Sequence, residues 1–140
     1  MASIRILAEL PNLGVIRRFV EETATVLKVE RGAIDDMIQA VDESATNIIV
    51  HGYRDLPGHI EIEVTQEGNV LLVRLRDQAP LFDPTRAPPP DVALPLERRR
   101  FGGLGIHLTR QFTDSVTWRI TSGGGNELTL RRKAKGERNK

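Results

Sequence analysis

The chain has 140 residues, the size of one ordinary domain, and because 39% of them are hydrophobic but only 4% aromatic, its core must consist of Ile, Leu and Val. Its 20 basic residues nearly balance 19 acidic ones, which argues against nucleic acid as a direct partner. The absence of cysteine excludes disulfides and thiolate metal sites, and no apolar run suits a secretory signal or a membrane span, so we expect a cytoplasmic protein.

The first half of the sequence predicts a strand followed by two helices. Residues 3–6 alternate between polar and apolar side chains, as a short strand does. Apolar residues at helical spacing then predict a first helix, with Asn12 as its N-cap. A second helix is predicted over residues 33–51, and its apolar stripe consists of Ile34, Met37, Ile38, Val41, Ala45, Ile48 and Ile49.

The second half predicts strands around a long irregular segment. Residues 60–64 and 70–76 read as a hairpin with a turn at 67–69. Five prolines then fall between Pro84 and Pro95, which excludes a helix or central strand there. Such a long irregular segment is usually a functional lid or a disordered loop, and we expect a lid over residues 84–101. A short helix over 106–112 and two strands, around Trp118 and Leu128, complete the pattern.

This order of elements predicts an α+β fold. We expect a two-layer α/β sandwich in which helices cover one face of a mostly antiparallel, mixed sheet. One domain is expected over residues 1–133, with residues 134–140 as a basic, disordered tail.

Two polar residues of the second helix are candidates for a site. Glu43 and Asn47 lie four residues apart and therefore on one face, nearly opposite the apolar stripe. That face is also compatible with ordinary solvated side chains. However, it carries Ala40 and Val50, which indicates a half-covered surface such as the wall of a cleft.

Two further features follow along the chain. Asp77 stands where the strand 70–76 opens into a loop, a place where a carboxylate can accept hydrogen bonds from a ligand amine or simply form a turn. The glycine-rich run 102–105 directly precedes a predicted helix, where backbone amides and the helix N-terminus favour phosphate. This run is neither a Walker loop nor a Rossmann turn.

Taken in order, four segments of the sequence resemble the Bergerat-fold ATPases, the histidine kinase-like superfamily, and most of all their small anti-sigma serine kinases. The segments are VDESATNIIVHGY (41–53), DQAPLFDP (77–84), FGGLGIHLTRQFTD (101–114) and GGGNELTLRR (123–132). The resemblance covers nearly the whole chain. It implies binding of ATP and Mg²⁺, transfer of phosphate to a serine of a STAS-domain anti-anti-sigma protein, capture of a sigma factor, and a homodimer.

The resemblance also implies roles for individual residues. Glu43 matches the general base, Asn47 the ligand of Mg²⁺ and Asp77 the acceptor of the adenine amine. Nucleotide contacts are further implied for a larger set, namely Ala79, Phe82, Gly102, Gly103, Leu104, Gly105, Ile106 and Thr129. One of Arg98, Arg99 and Arg100 is expected to reach the γ-phosphate.

One position departs from the pattern of the family. Position 79, where relatives usually have glycine, is Ala79, which predicts a strain of about 1 kcal/mol if the backbone there needs a positive φ. Two alternatives to the kinase therefore stay open: a non-catalytic module that binds nucleotide and sequesters partners, and a regulatory ATPase subunit that dimerises around ATP. Retention of Glu43 favours the kinase, since sequestration needs no base.

Overall fold

The fold is a five-stranded sheet with helices on one face, in a computed structural model that describes residues 1–54, 56–86 and 109–138. In chain order the strands are β1 (Ala2–Leu7), β2 (His59–Glu67), β3 (Val70–Asp77), β4 (Ser115–Ile120) and β5 (Asn126–Lys133). Their order in the sheet is β1-β2-β3-β5-β4, and every neighbouring pair is antiparallel. The predicted two-layer α+β architecture is confirmed, although no parallel pair occurs between these strands.

Two α-helices lie between β1 and β2. Helix α1 spans Leu13–Val26 and helix α2 spans Arg31–Asn47, after which the chain continues as a π-helical turn over Ile48–Tyr53. Residues 109–112 are also helical, and short 3₁₀ turns occupy Leu10–Asn12 and Pro84–Arg86. None of the helices within the described ranges is long and apolar enough to cross a membrane.

The core lies between the two helices and the sheet and is aliphatic, as the composition predicts. Helix α2 contributes the buried part of its predicted stripe, Ile34, Met37, Val41 and Ala45. The sheet contributes alternate residues of its strands, because successive side chains of a strand point to opposite faces. The fully buried side chains of β2 and β3 are Ile60, Ile62, Val64, Leu71, Val73 and Leu75, with Leu72 also buried.

Within the described residues, the other face of the sheet carries charged side chains and no helix. Arg76 of β3 bonds to carboxylates on two neighbouring strands, with Nη1 at 2.7 Å from Glu61 and Nε at 2.7 Å from Glu127. Arg119 reaches Glu127 from β4, and Arg74 pairs with Glu63. Opposite charges thus alternate across this face, which favours the observed strand register.

The structure differs from the expectations at the start of α1 and in the C-terminal residues. Asn12 makes no side-chain cap of α1, because its amide donates to the Leu7 carbonyl at 2.9 Å and a 3₁₀ turn leads into the helix. Residues 134–138, expected in the disordered tail, instead pack on the domain: Ala134 N–H bonds to Asn69 O, and Gly136 N–H bonds to the Glu30 carboxylate. Arg138 lies 5.8 Å from the Phe112 ring centre, a cation–π contact.

Candidate functional site

A cleft opens between the end of α2, the ends of β3 and β5, and the loop that follows β3. Its walls combine apolar side chains with a few polar groups, the composition usual for a small-molecule site. The lining residues are Ser44, Asn47, Ile48, Gly52, Asp77, Ala79, Pro80, Phe82, Pro84, Thr109, Trp118, Asn126 and Leu128. The cleft therefore brings together Asn47, Asp77, Ala79 and Phe82 from the predicted set.

Asp77 is the buried carboxylate of this cleft. Its Oδ1 accepts hydrogen bonds from the backbone N–H of Ala79 and from the Asn126 amide, both at 2.9 Å. Burial raises the pKa of Asp77, while the bonds from Asn126 and Ala79 act in the opposite direction. Within the described ranges, Oδ2 takes no hydrogen bond in addition, so it is the acceptor that Asp77 offers to a ligand.

The loop after β3 is held by Asn126, the first residue of β5 and the register partner of Asp77. The Asn126 amide nitrogen donates to Asp77 and to the carbonyl oxygen of Ala79 at 3.1 Å. Its amide oxygen accepts from the backbone N–H of Phe82 at 3.1 Å and from the Trp118 indole at 2.9 Å. These bonds connect the strand end to the loop that covers it.

Ala79 is accommodated without the backbone strain that the sequence predicts. Among described residues, the non-glycine positions with positive φ are Lys28 and Arg54, so Ala79 has ordinary backbone geometry. Its side chain is buried against Gly52 of the π-helical turn, where an added Cβ would stand 3.3 Å from the Ala79 Cβ. The methyl group thus fits because its neighbour on the helical side is a glycine.

Helix α2 supplies the opposite wall of the cleft. Asn47, its last residue, lines the cleft at the point where the helix changes to the π-helical turn, a feature frequent at functional sites. Glu43 lies one helical turn earlier on the same side, about 6 Å along the helix axis, and outside the cleft lining. Burial and then the neighbouring charge of Asp42 raise the pKa of Glu43 above that of an ordinary glutamate.

Several of the remaining predicted residues lie outside the described residues. They are Gly102, Gly103, Leu104, Gly105 and Ile106, together with residues 87–101 of the predicted lid, which include Arg98–Arg100. The described chain resumes at Thr109, which lines the cleft and whose hydroxyl lies 3.4 Å from that of buried Ser44.

Thr129 is not brought to the cleft. It pairs with Arg74 and Thr117 on the charged face of the sheet, whereas Leu128 and Leu130 of the same strand face the core. Since side chains alternate along a strand, the cleft receives position 126. Asn126 is not among the residues predicted from the sequence, although its place after the glycine run 123–125 and its parity with Leu128 and Leu130 are signals for it.

Gly125 permits the close approach of β5 to Asp77. A Cβ at Gly125 would lie 2.3 Å from the Asp77 carbonyl oxygen, whereas one at Gly123 meets nothing nearer than 3.9 Å. We expect Gly125→Ala to lower the free energy of unfolding by about 1–3 kcal/mol, because the backbone must shift to relieve the clash. Urea denaturation tests this expectation with Gly123→Ala as the control, and equal stability of the two variants would contradict it.

Comparison with known protein families decides what kind of domain surrounds this cleft. The model of the family described as the histidine kinase-like ATPase domain matches residues 6–132, nearly the whole chain. The chain belongs to this family. Membership in a histidine kinase-like ATPase family implies that the domain binds ATP.

Individual proteins similar to this chain over most of its length have more specific names. An anti-sigma F factor of Thermoanaerobacter sp. is 30% identical over 131 residues, covering 93% of this chain and 91% of that protein. An anti-sigma F factor of Clostridium acetobutylicum is 27% identical over 137 residues, with the same two shares. The serine-protein kinase RsbW of Bacillus cereus is 27% identical over 117 residues, 81% of this chain and 73% of that protein.

The fold itself recurs in a solved structure. A crystal structure of RsbU and RsbW domains from Mycobacterium tuberculosis superposes with a TM-score of 0.60 and 15% identity, over 95% of this chain. The matched part is 32% of that longer chain. The likeness confirms the predicted Bergerat-type fold of this histidine kinase-like ATPase domain.

Proposed function

We propose that this protein is an ATP-dependent serine kinase and anti-sigma factor that phosphorylates a STAS-type anti-anti-sigma protein in a partner-switching system. The observation that carries the proposal is the arrangement of three side chains: Asp77 is buried at one end of the cleft, Asn47 lines the opposite wall, and Glu43 precedes Asn47 by one turn of α2, outside the lining. The names of the relatives, anti-sigma F factor and serine-protein kinase RsbW, support it.

The Asp77 end of the cleft suits an adenine ring. Trp118, Phe82 and Leu128 give it apolar walls for a flat heterocycle, and the free Oδ2 of Asp77 accepts from an exocyclic amine. A few placed polar groups within an apolar pocket fix the orientation of a ligand. In this orientation the ribose and phosphates extend toward α2 and Asn47.

The Asn47 end suits a magnesium ion that arrives on the phosphates of ATP. No group of three His, Asp or Glu side chains within the described ranges is arranged to hold a metal without substrate. Asn47 offers one amide oxygen, which fits Mg²⁺ because this ion is usually held by one or two protein ligands together with phosphates and water. When bound, Mg²⁺ neutralises the charge that develops on the phosphates.

Glu43 would accept the proton in the transfer step. The serine oxygen of the partner forms a bond to the γ-phosphorus while the bond from that phosphorus to the β–γ bridging oxygen breaks, and ADP leaves. The serine proton passes to the Glu43 carboxylate. Partial burial, which raises the pKa of Glu43, makes its ionised form a stronger base than an exposed glutamate. Positioning and charge stabilisation supply the rest.

Partner exchange tests the regulatory half of the proposal. We expect the protein to retain a sigma factor on a column in the presence of ATP, and to release it when the unphosphorylated STAS protein is added. A STAS protein with its target serine replaced by aspartate should release none. Retention of the sigma factor in both cases would contradict partner switching. Light scattering of the purified protein alone tests the homodimer that the family resemblance implies.

The replacement Asp77→Asn separates nucleotide binding from folding. We expect it to weaken the binding of ATP at least about tenfold. The new amide keeps its oxygen toward the donors of Ala79 and Asn126, so its NH₂ group replaces Oδ2 and places a donor against the donor of the adenine amine. Stability should not fall. Burial raises the pKa of Asp77, so the ionised carboxylate destabilises the fold as pH rises above the unfolded pKa, and a neutral amide removes that cost. Calorimetry with ATP and thermal melts at neutral pH measure both; unchanged ATP affinity would contradict the assignment.

A further inference from the structure

The amide of Asn126 is fully engaged within the protein. Its nitrogen donates to Asp77 Oδ1 and to the carbonyl oxygens of Ala79 and Pro80, at 2.9, 3.1 and 3.4 Å. Its oxygen accepts from Phe82 N–H and from the Trp118 indole N–H, at 3.1 and 2.9 Å. Asn126 is 7% exposed. Its side chain therefore has no remaining group with which to read a ligand directly.

The two donors on the amide oxygen fix the orientation of this amide. If the amide were rotated by half a turn, its oxygen would face the Asp77 carboxylate and its nitrogen would face two N–H groups. The rotated amide would thus place an acceptor against an acceptor and a donor against two donors, and it would leave buried polar groups without hydrogen bonds. Trp118 and the Phe82 N–H thus ensure that Asn126 presents a donor to Asp77.

The hydrogen bond from Asn126 changes which acceptor atoms Asp77 offers to a purine ligand. Oδ1 already accepts from Asn126 and Ala79, which occupies its two lone-pair directions. Only Oδ2 remains for a ligand, so the carboxylate acts as an acceptor of one hydrogen bond toward the cleft. A carboxylate with both oxygens free instead accepts two parallel hydrogen bonds, as it does from arginine.

The difference separates the two purines. Adenine presents one amine donor beside a ring-nitrogen acceptor, whereas guanine presents two adjacent donors, the ring N–H and the amine, which match a carboxylate with two free oxygens. We propose that Asn126 determines purine specificity: by occupying Oδ1, it makes Asp77 accept through one oxygen and thereby selects adenine over guanine. The inference rests on the proposed function, in which the cleft binds ATP.

The test compares ATP and GTP on the same samples of three proteins. Calorimetry gives the ratio of the two dissociation constants for wild type, for Asn126→Ala and for Asn126→Leu, which retains side-chain volume. We expect the preference for ATP to fall about tenfold in both variants, because Asp77 regains its second acceptor oxygen. The ratio does not depend on the fraction of folded protein, since both nucleotides meet the same sample.

Thr129→Ala is the matched control, on the same strand but on the opposite face of the sheet, and its ratio should equal that of wild type. A wild type that prefers ATP, with an unchanged ratio in both Asn126 variants, overturns the role of Asn126 and leaves the proposed function intact. A wild type without preference between ATP and GTP also overturns it. A wild type that binds neither nucleotide overturns the proposed function itself.

Discussion

Glu43→Gln is expected to slow phosphate transfer to the serine of the STAS partner by about 10²–10⁴-fold, the usual contribution of a general base. The affinity for ATP with Mg²⁺ should stay within about twofold, because the base acts only as the hydroxyl is deprotonated and does not hold the nucleotide. Glutamine keeps the size of the side chain and Glu43 is only half-buried and outside the core, so the fold is retained. Single-turnover transfer and calorimetry measure the two quantities.

The pH dependence of transfer provides the control. Burial and then Asp42 raise the pKa of Glu43, so the base is lost as pH falls through a value above that of an ordinary glutamate. Asp42→Asn removes the second cause, and the acidic limb of the rate profile should move to lower pH with the same plateau. In Glu43→Gln this limb should vanish. If the acidic limb persists in Glu43→Gln, it must come from the titration of another group.

Asn47→Ala is expected to lose binding and transfer together. Removal of an amide ligand weakens the complex of ATP with Mg²⁺ in the ground state, and we expect an affinity loss of at least about tenfold together with loss of transfer. Without Mg²⁺, wild type and variant should bind ATP alike. This contrast separates Asn47 from Glu43, which stands one turn away on the same helix.

Asn47→Asp is the control for this prediction, because a carboxylate also coordinates Mg²⁺ through oxygen. We expect Asn47→Asp to keep a Mg²⁺-dependent affinity for ATP. If Asn47→Ala binds ATP with the full Mg²⁺ dependence of wild type, Asn47 is not the ligand and the phosphate end of the cleft is wrongly assigned.

Periodicity predicted those parts of the fold that depend on burial of one face. The stripe from Ile34 to Ile49 fixed the inner side of α2, and the alternation in β2 and β3 fixed the hairpin. The same period placed Glu43 and Asn47 on one side, next to the fully buried Ala40. These predictions hold because the hydrophobic effect acts on the same repeat that the sequence displays.

Other features depended on contacts between distant segments and were not readable locally. Ala79 has no backbone strain because its φ is not positive, and Gly52, from another element, leaves room for its methyl group. Asn12 donates to β1 in place of its own helix. The transition from α2 into a π-helical turn leaves no mark in a pattern that continues through Ile48 and Ile49. For Asn12 and Ala79, contacts with other segments accompany the observed arrangement, and such contacts are not readable from local sequence.

Asn126 and Thr129 illustrate a different failure. The family resemblance implied that Thr129 lies near the adenine, but the parity of Leu128 and Leu130 already put position 129 on the outer face. Counting faces along the strand would have selected position 126. What the count does not give is the pairing of Asn126 with Asp77, because strand register depends on the whole sheet.

The measurement that tests the central claim most directly is phosphate transfer itself. The purified protein is incubated with ATP, Mg²⁺ and the STAS protein, and the STAS protein is then analysed by mass spectrometry. The account predicts one phosphoserine on the STAS protein with wild type and almost none over the same time with Glu43→Gln. A wild-type protein that binds both ATP and the STAS protein but leaves it unphosphorylated would contradict the account and identify a sequestering module without kinase activity.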